Sequence, residues 1–365
     1  MRAPPVLRCG RTLDRMQHRL LRWLPAAIAP VVVAGVVTVP LVAAAAPPDL
    51  PSKTPQQVLE LAAKADSVAG FSGTVRQTSD LGLPSIPSTG AGSDTDTASA
   101  LDLLTGTHTA RVEVVGDTRS RIAVLDSSAE RDVVRNGRSV WLWSSKANSA
   151  THVVVSGTKT EAPDTGALPT PAEAAKELLA KVDGTSTVSV DTAQRVAGRD
   201  AYTLVVTPRT TATTIGSVRV AVDAATGLPL DVEVLARGAS SPAFETGFTS
   251  IDLTVPAASR FDFTPPSDAK VTTKTVTPRT PSERGSLDAA KHPTVSGSGW
   301  AAVVTVPKAA VPADLAANAT VRRLTTAAAD GGRVLHSSLV NVLLTSDGRV
   351  LAGAVPVARL VSAAG

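Results

Sequence analysis

The chain is poor in the residues that usually advertise chemistry. Its 365 residues include one cysteine, one tyrosine and two methionines, and aromatics make up 3%. The cysteine, Cys9, precedes a long apolar run, so the chain beyond that run can form no disulfide and holds no thiol nucleophile or lipid-accepting cysteine. His18, His108, His152, His292 and His336 are dispersed, with no H-E-x-x-H spacing that would argue for zinc. No G-x-S-x-G elbow and no G-x-x-x-x-G-K-[ST] loop is present. Gly297-Ser298-Gly299 opens a G-x-G-x-x-A string, but a strand-like stretch follows it where a nucleotide loop needs a helix. Asn318-Ala319-Thr320 fits a glycosylation sequon, a short pattern that recurs by chance. Scarce aromatics argue against a surface that stacks sugars or bases. The expectation is therefore no catalytic residues, no metal and no cofactor.

Positive charge is also scarcer than the pI of 9.4 suggests. Arg2 to Arg22 contains six arginines and one acid, Asp14. Residues 47–365 then hold 30 basic and 31 acidic residues, a net charge of −1. Nucleic-acid binding needs a basic patch in the folded part, and nothing here supplies one. The acidic residues are spread over turns and strand faces, as solvated carboxylates usually are.

What is present begins with a targeting segment. The arginines are followed by Leu24–Ala46, uncharged and ending in four alanines. A basic start, an apolar run and small residues at its end read as a secretory signal. The run is also long enough to cross a bilayer as a retained anchor. Met16 offers an alternative start that keeps the basic flank. Either way residues 1–46 direct export, with the positive flank inside.

The remaining chain is organised around Arg131–Val155, where two strand-like runs flank Asn136-Gly137. That dipeptide favours a type I′ hairpin turn. Trp141 and Trp143 lie two apart on the second run and so share a face, while Val140 and Leu142 make the opposite face apolar too. The indoles read either as core or as the wall of an apolar cavity. Strand patterns recur at Phe71–Ser79, Thr107–Val115, Arg119–Leu125 and Glu130–Arg135. Five more follow at Thr185–Val196, Ala201–Thr207, Ser217–Val222, Pro229–Ala236 and Phe244–Leu253, eleven in all with the hairpin's two later strands. Two helices carry a capping box with proline at the first position, Thr54-Pro55-Gln56-Gln57 and Thr170-Pro171-Ala172-Glu173. The first runs to Gly70 with Val58, Leu61, Ala62, Ala65 and Val68 on one face. Pro84–Ser99 reads as a long loop and Val271–Pro293 as a polar linker. Beyond it come a strand at Gly299–Val306, a helix at Asp314–Ala329 and a hairpin across Ser346-Asp347-Gly348.

Several of these stretches, in this order, resemble the periplasmic lipoprotein carrier family LolA/LolB and the related RseB/MucB sensors. They are Phe71-Ser72-Gly73-Thr74-Val75-Arg76-Gln77-Thr78, Arg119-Ser120-Arg121-Ile122, Asn136-Gly137 with Trp141 and Trp143, Asp223–Asp231 (DAATGLPLD) and Phe261–Pro266 (FDFTPP). The resemblance spans Thr54–Val271. Trp143 stands where the family usually has tyrosine, and Pro84–Ser99 is additional. The family's helix-latching arginine corresponds to Arg119 or Arg121.

The resemblance implies a mainly β (α+β) fold. It would be an open antiparallel β-barrel of about eleven strands with helices over the concave face, and a small C-terminal α+β subdomain. Domain bounds are expected at 1–46 (signal or anchor), 47–275 (barrel), 276–298 (linker) and 299–358 (C-terminal subdomain). It further implies a non-enzymatic, extracytoplasmic carrier of lipid or lipoprotein acyl chains. The cavity candidates are Phe71, Val75, Arg119, Arg121, Trp141 and Trp143. The alternative is an RseB/MucB-like envelope-stress sensor that binds a membrane-bound partner, such as an anti-sigma factor.

Overall fold

The computed structural model describes residues 47–83, 106–126, 129–156, 184–276, 292–313, 315–328 and 331–365. The targeting segment, the Pro84–Ser99 loop and the helix expected at Thr170 lie outside the described residues.

All eleven strands expected between Phe71 and Leu253 form. β1 (Gly70–Ser79), β2 (Gly106–Val115), β3 (Arg119–Asp126), β4 (Ala129–Asn136), β5 (Ser139–Ser144) and β6 (Ser149–Val155) make one antiparallel meander. β7 (Ser186–Val196), β8 (Arg199–Pro208), β9 (Ile215–Asp223), β10 (Pro229–Ala236) and β11 (Pro242–Asp252) make a second. β1 pairs antiparallel with β11, which welds the two meanders into one sheet. A twelfth strand, β12 (Lys270–Val276), adds to β6 in parallel. The sheet is thus open and mixed, with β12 and β7 as its edges.

Two features of this sheet differ from the sequence reading. β12 falls where a linker was expected, because KVTTKTV has the Thr/Val content of a strand but no buried face to impose alternation. The β4–β5 turn also sits one residue later than expected. Asn136 pairs with Ser139, leaving Gly137 and Arg138 as the central pair. Gly137 has φ +60 while Arg138 keeps the ordinary sign, the pattern of a type II′ turn with glycine first.

The first helix, α1 (Pro55–Ala62), forms as its caps dictate. The Gln57 N–H donates to Thr54 Oγ1 at 3.3 Å and the Thr54 N–H donates to Gln57 Oε1 at 2.9 Å. Val58 is fully buried on the sheet, worth about 1.5–3 kcal/mol. The helix tightens into a 3-10 turn over Ala63–Ser67 and does not reach Gly70. Gly70 belongs to β1, where a Cβ would meet Val114 O at 2.7 Å.

One face of the sheet carries the main core. Val58 packs with Tyr202, Leu204, Val218, Val220, Val222, Val232, Val234 and Phe244. Beside it, Phe71, Val75, Val112, Leu228, Leu230 and Phe248 form a second cluster against Ala65 and Val68. The DAATG turn holds the helix end. Asp223 accepts from the backbone N–H and the hydroxyl of Thr226 and from both Nε and Nη2 of Arg199. Gly227, at φ +78, lies so close to α1 that a Cβ would meet Leu61 O at 1.9 Å.

A second, six-stranded antiparallel sheet is built from β13 (Thr294–Ser296), β14 (Val303–Val306), β15 (Thr326–Ala327), β16 (Arg333–Leu335), β17 (Asn341–Leu344) and β18 (Val350–Gly353). Two helices accompany it, α2 (Ala319–Leu324) and α3 (Val357–Ala364), the latter seated by fully buried Leu360. The helix expected at 314–329 is therefore one short piece, preceded by a 3-10 turn. Asn318 is its N-cap, accepting from the N–H groups of Thr320 and Val321. The second unit docks on the first through Leu339, which enters the core beside Val58. Thr213 and Thr214 donate to Ala354 O and Leu339 O, and Trp300 Nε1 donates to Ser186 Oγ at 2.8 Å.

Candidate ligand-binding face

The register assigns every side chain of the first meander to one of two faces. Val75 pairs with Phe248 and Ala110, and Ala110 with Val124, so these share the α1 side. On that side Val112, Ile122, Val133 and Leu142 form one row across β2–β5. Val112 is buried, while Ile122, Val133 and Leu142 are only partly so. Val140, beside Leu142 on the same face, is 2% exposed. α1 itself packs over β7, β8 and β9, at the other end of the sheet. The aliphatic row therefore extends the core beyond the area that α1 covers.

The two indoles point to the opposite face. Trp141 pairs with Val134 and His152, and Val134 with Arg121. The imidazole of His152 lies flat on Trp141, centroids 4.2 Å apart, and its Nε2 is 2.8 Å from Ser139 Oγ. This face is crossed by the chain between β11 and β12, which acts as a strap. Arg260 of the strap binds Glu113 at 2.6 Å, and Asn136 Nδ2 donates to Asp262 Oδ1. Phe261 is 1% exposed under the Arg119 guanidinium, 5.8 Å from its ring centre. Phe263 packs against Trp141 at 5.5 Å and Trp143 at 6.2 Å.

The six residues singled out from sequence are thus divided by the sheet. Phe71 and Val75 lie in the core on the α1 side, Phe71 edge-on to Phe248 at 5.7 Å. Trp141, Trp143, Arg119 and Arg121 lie on the strap side. Arg121 pairs with Asp132 at 2.5 Å, and Asp132 is only 2% exposed. Glu130 next to it is pushed up by burial and by the Asp132 charge. Phe261 and Phe263 carry no role in the sequence reading, although their F-x-F-x-P-P stretch is conspicuous in a chain with five phenylalanines. Ile122 and Val133 escape it as well, and Leu142 enters it only as part of the second apolar face of its strand, because register is a long-range property.

Two open clefts have mixed polar and apolar linings. One of about 320 Å³ is lined by Ser72, Thr74, Arg111, Glu113 and Asp252 and by the apolar Val112 and Ile251 among others. The other, of about 730 Å³, is lined by Leu50, Arg195, Arg199, Asp200 and Asp223 with the turn that follows. Neither lining includes any of the six. Burial pushes the Asp223 carboxyl up, but the bonds from Arg199 and Thr226 outweigh this and hold it below the usual range. Among the described residues no group of three His, Cys, Asp or Glu is placed to hold a metal ion. Among them, too, no helix is long and apolar enough to cross a membrane.

No protein-family model matches the chain, and no curated protein matches it. Solved structures do. MucB in complex with MucA(peri) is 17% identical, with 83% of this chain and 94% of that one covered at a TM-score of 0.42. The MucA/MucB complex of Pseudomonas aeruginosa is 18% identical, with 84% and 95% covered at 0.41. The LolA superfamily protein NE2245 from Nitrosomonas europaea is 13% identical, with 58% and 99% covered at 0.23. These belong to the two groups that the strand motifs resemble.

Proposed function

We propose that this protein is an extracytoplasmic, non-enzymatic binding protein that holds the acyl chains of a lipid or lipoprotein against the α1 side of its large sheet. The observation that carries this reading is the row Val112, Ile122, Val133 and Leu142, an aliphatic surface continuous with the core and extending past α1. Each CH₂ buried there contributes about 0.8 kcal/mol, so an acyl chain is held without specific polar contacts. In this reading Phe71 and Val75 close the inner end of the wall. Trp141, Trp143, Arg119 and Arg121 hold the strap that backs it. Export by residues 1–46, as a cleaved signal or a retained anchor, places the site outside the cytoplasm.

The test is titration with a fluorescent fatty acid, together with native mass spectrometry of the protein before and after lipid extraction. Leu142→Lys, at the end of the row, should weaken fatty-acid binding at least tenfold, and Trp143→Ala on the strap side should leave it within twofold. Binding lost in Trp143→Ala but kept in Leu142→Lys would place the acyl chain on the other face. A parent protein without lipid or affinity would sink the carrier reading altogether.

A second reading is a sensor that binds the extracytoplasmic segment of a membrane protein such as an anti-sigma factor. Its support is the C-terminal unit, docked through Leu339 as a fixed part of the same core. RseB-like proteins resembled by the sequence also add such a unit to the carrier fold.

A further inference from the structure

The outer edge of β12 stands apart from the acyl-chain wall. The strand pairs with β6 over seven consecutive positions without a register shift, and it is exposed along its whole length. The Lys270 N–H donates to Asn148 O at 2.9 Å, and the Ser156 N–H donates to Val276 O at 2.8 Å. Both ends of the strand therefore turn the same parity of residue toward β6. In an extended strand the backbone polar groups alternate between the two edges. Lys270, Thr272, Lys274 and Val276 thus face β6, and Val271, Thr273 and Thr275 present their N–H and C=O groups outward.

The other sheet edges are protected. β7 has a register shift between Asp191 and Gln194, and Trp300 bonds to Ser186 at its start. β13 and β15 are three and two residues long. Irregular or very short edges resist pairing with another chain. β12 has neither protection, and its outward positions are the β-formers Val and Thr. Its charge is one-sided. Lys270 and Lys274 project from the same face of the strand, and the nearest acid, Asp268, lies in the turn before it, bonded to Asn148. A second copy of this chain would bring more lysines to that face, whereas an acidic segment would neutralise it.

We infer that the β12 edge is a strand-addition site for an extended, acidic segment of a partner protein, with carboxylates four residues apart set beside Lys270 and Lys274. The backbone ladder supplies the binding and the lysines select the charge. This inference deepens the partner-binding reading and is independent of acyl-chain binding.

The probes are a nine-residue Thr/Val peptide with glutamates four residues apart and its lysine counterpart. Their binding to the full chain is read by fluorescence anisotropy. The glutamate peptide should bind at least tenfold tighter than the lysine peptide. It should slow amide exchange at Val271, Thr273 and Thr275, and leave Thr272 and Lys274 unchanged. Thr273→Pro removes one outward N–H and should weaken binding at least tenfold, and Thr273→Ala should not. The double variant Lys270→Glu/Lys274→Glu should reverse the charge preference, which keeps the test decisive if the proline variant misfolds. Equal or absent binding of the two peptides overturns the site. So does a peptide-free dimer that protects the same three amides. Capture of a membrane protein's soluble segment by Thr273→Pro at parental affinity overturns the edge as the site and leaves partner binding itself intact.

Discussion

Asp231 is the most perturbed carboxyl of the large sheet, pushed up to about 8 by burial and by the charges of Glu245 and Glu233. It sits against Gly247, where a Cβ would lie 2.0 Å from its Oδ1. Burial and Glu245 also raise Glu233, with Arg219 opposing at 3.8 Å. A carboxyl raised on folding holds its proton in the native state while the unfolded chain has lost it. The stability it contributes is complete below the unfolded value near 3.8 and is lost as the pH climbs through about 8. Asp231→Asn should therefore be more stable than the parent at pH 9, with the gap closing at pH 4. Urea midpoints at the two pH values measure this, and a constant gap would contradict it. The DAATGLPLD stretch ends on Asp231, but nothing in the sequence marks its raised carboxyl, since neither its burial nor its two acidic neighbours are local properties. Trp141 is the reverse case. Its face relative to Trp143 was legible from their spacing, but the His152 stack and the Phe263 cover depend on segments far along the chain.

Among the elements, α1 and the β9–β10 turn are the best anticipated from residue types. Thr54, Pro55 and Gln57 specify the start of the helix, and Asp223, Thr226 and Gly227 specify the turn. Their contact was not legible, because it joins residues more than 160 positions apart. Gly227→Ala should be destabilised by well over 1 kcal/mol. The substitution adds a strained φ to a Cβ that collides with the Leu61 carbonyl. Thermal melting tests this, with Gly137→Ala as the comparison, since that turn has the same sign of φ but open space around it. A similar loss in both variants would mean that φ alone accounts for the effect and that the α1 contact is dispensable. The strap shows the limit of local reading most clearly. Phe261 and Phe263 stand in a motif, but the motif does not say that they cross to the β3–β5 surface.

At the scale of the whole molecule, two meanders, a strap and a second unit share one core. Leu339 is 5% exposed and joins the units, so Leu339→Ala should cost about 2–5 kcal/mol. It should also uncouple unfolding of the two units. Denaturation followed by tryptophan emission and by far-ultraviolet circular dichroism should coincide in the parent and separate in the variant. Coincident curves in both would mean that the docking is not what couples them. By itself the sequence determined the eleven strands, the capped start of α1, the late hairpin and the absence of recognisable catalytic motifs. The caps, the hairpin and the missing motifs follow from turn residues and residue chemistry within a few positions of each other, and the number of strands from periodicity together with the resemblance to the carrier family. Only the tertiary structure decided which face the indoles take, that β12 adds in parallel to β6, and that Leu339 closes the first core. Each of these depends on register or contact between distant segments, and a one-residue slip in register would exchange the aliphatic row for the indoles.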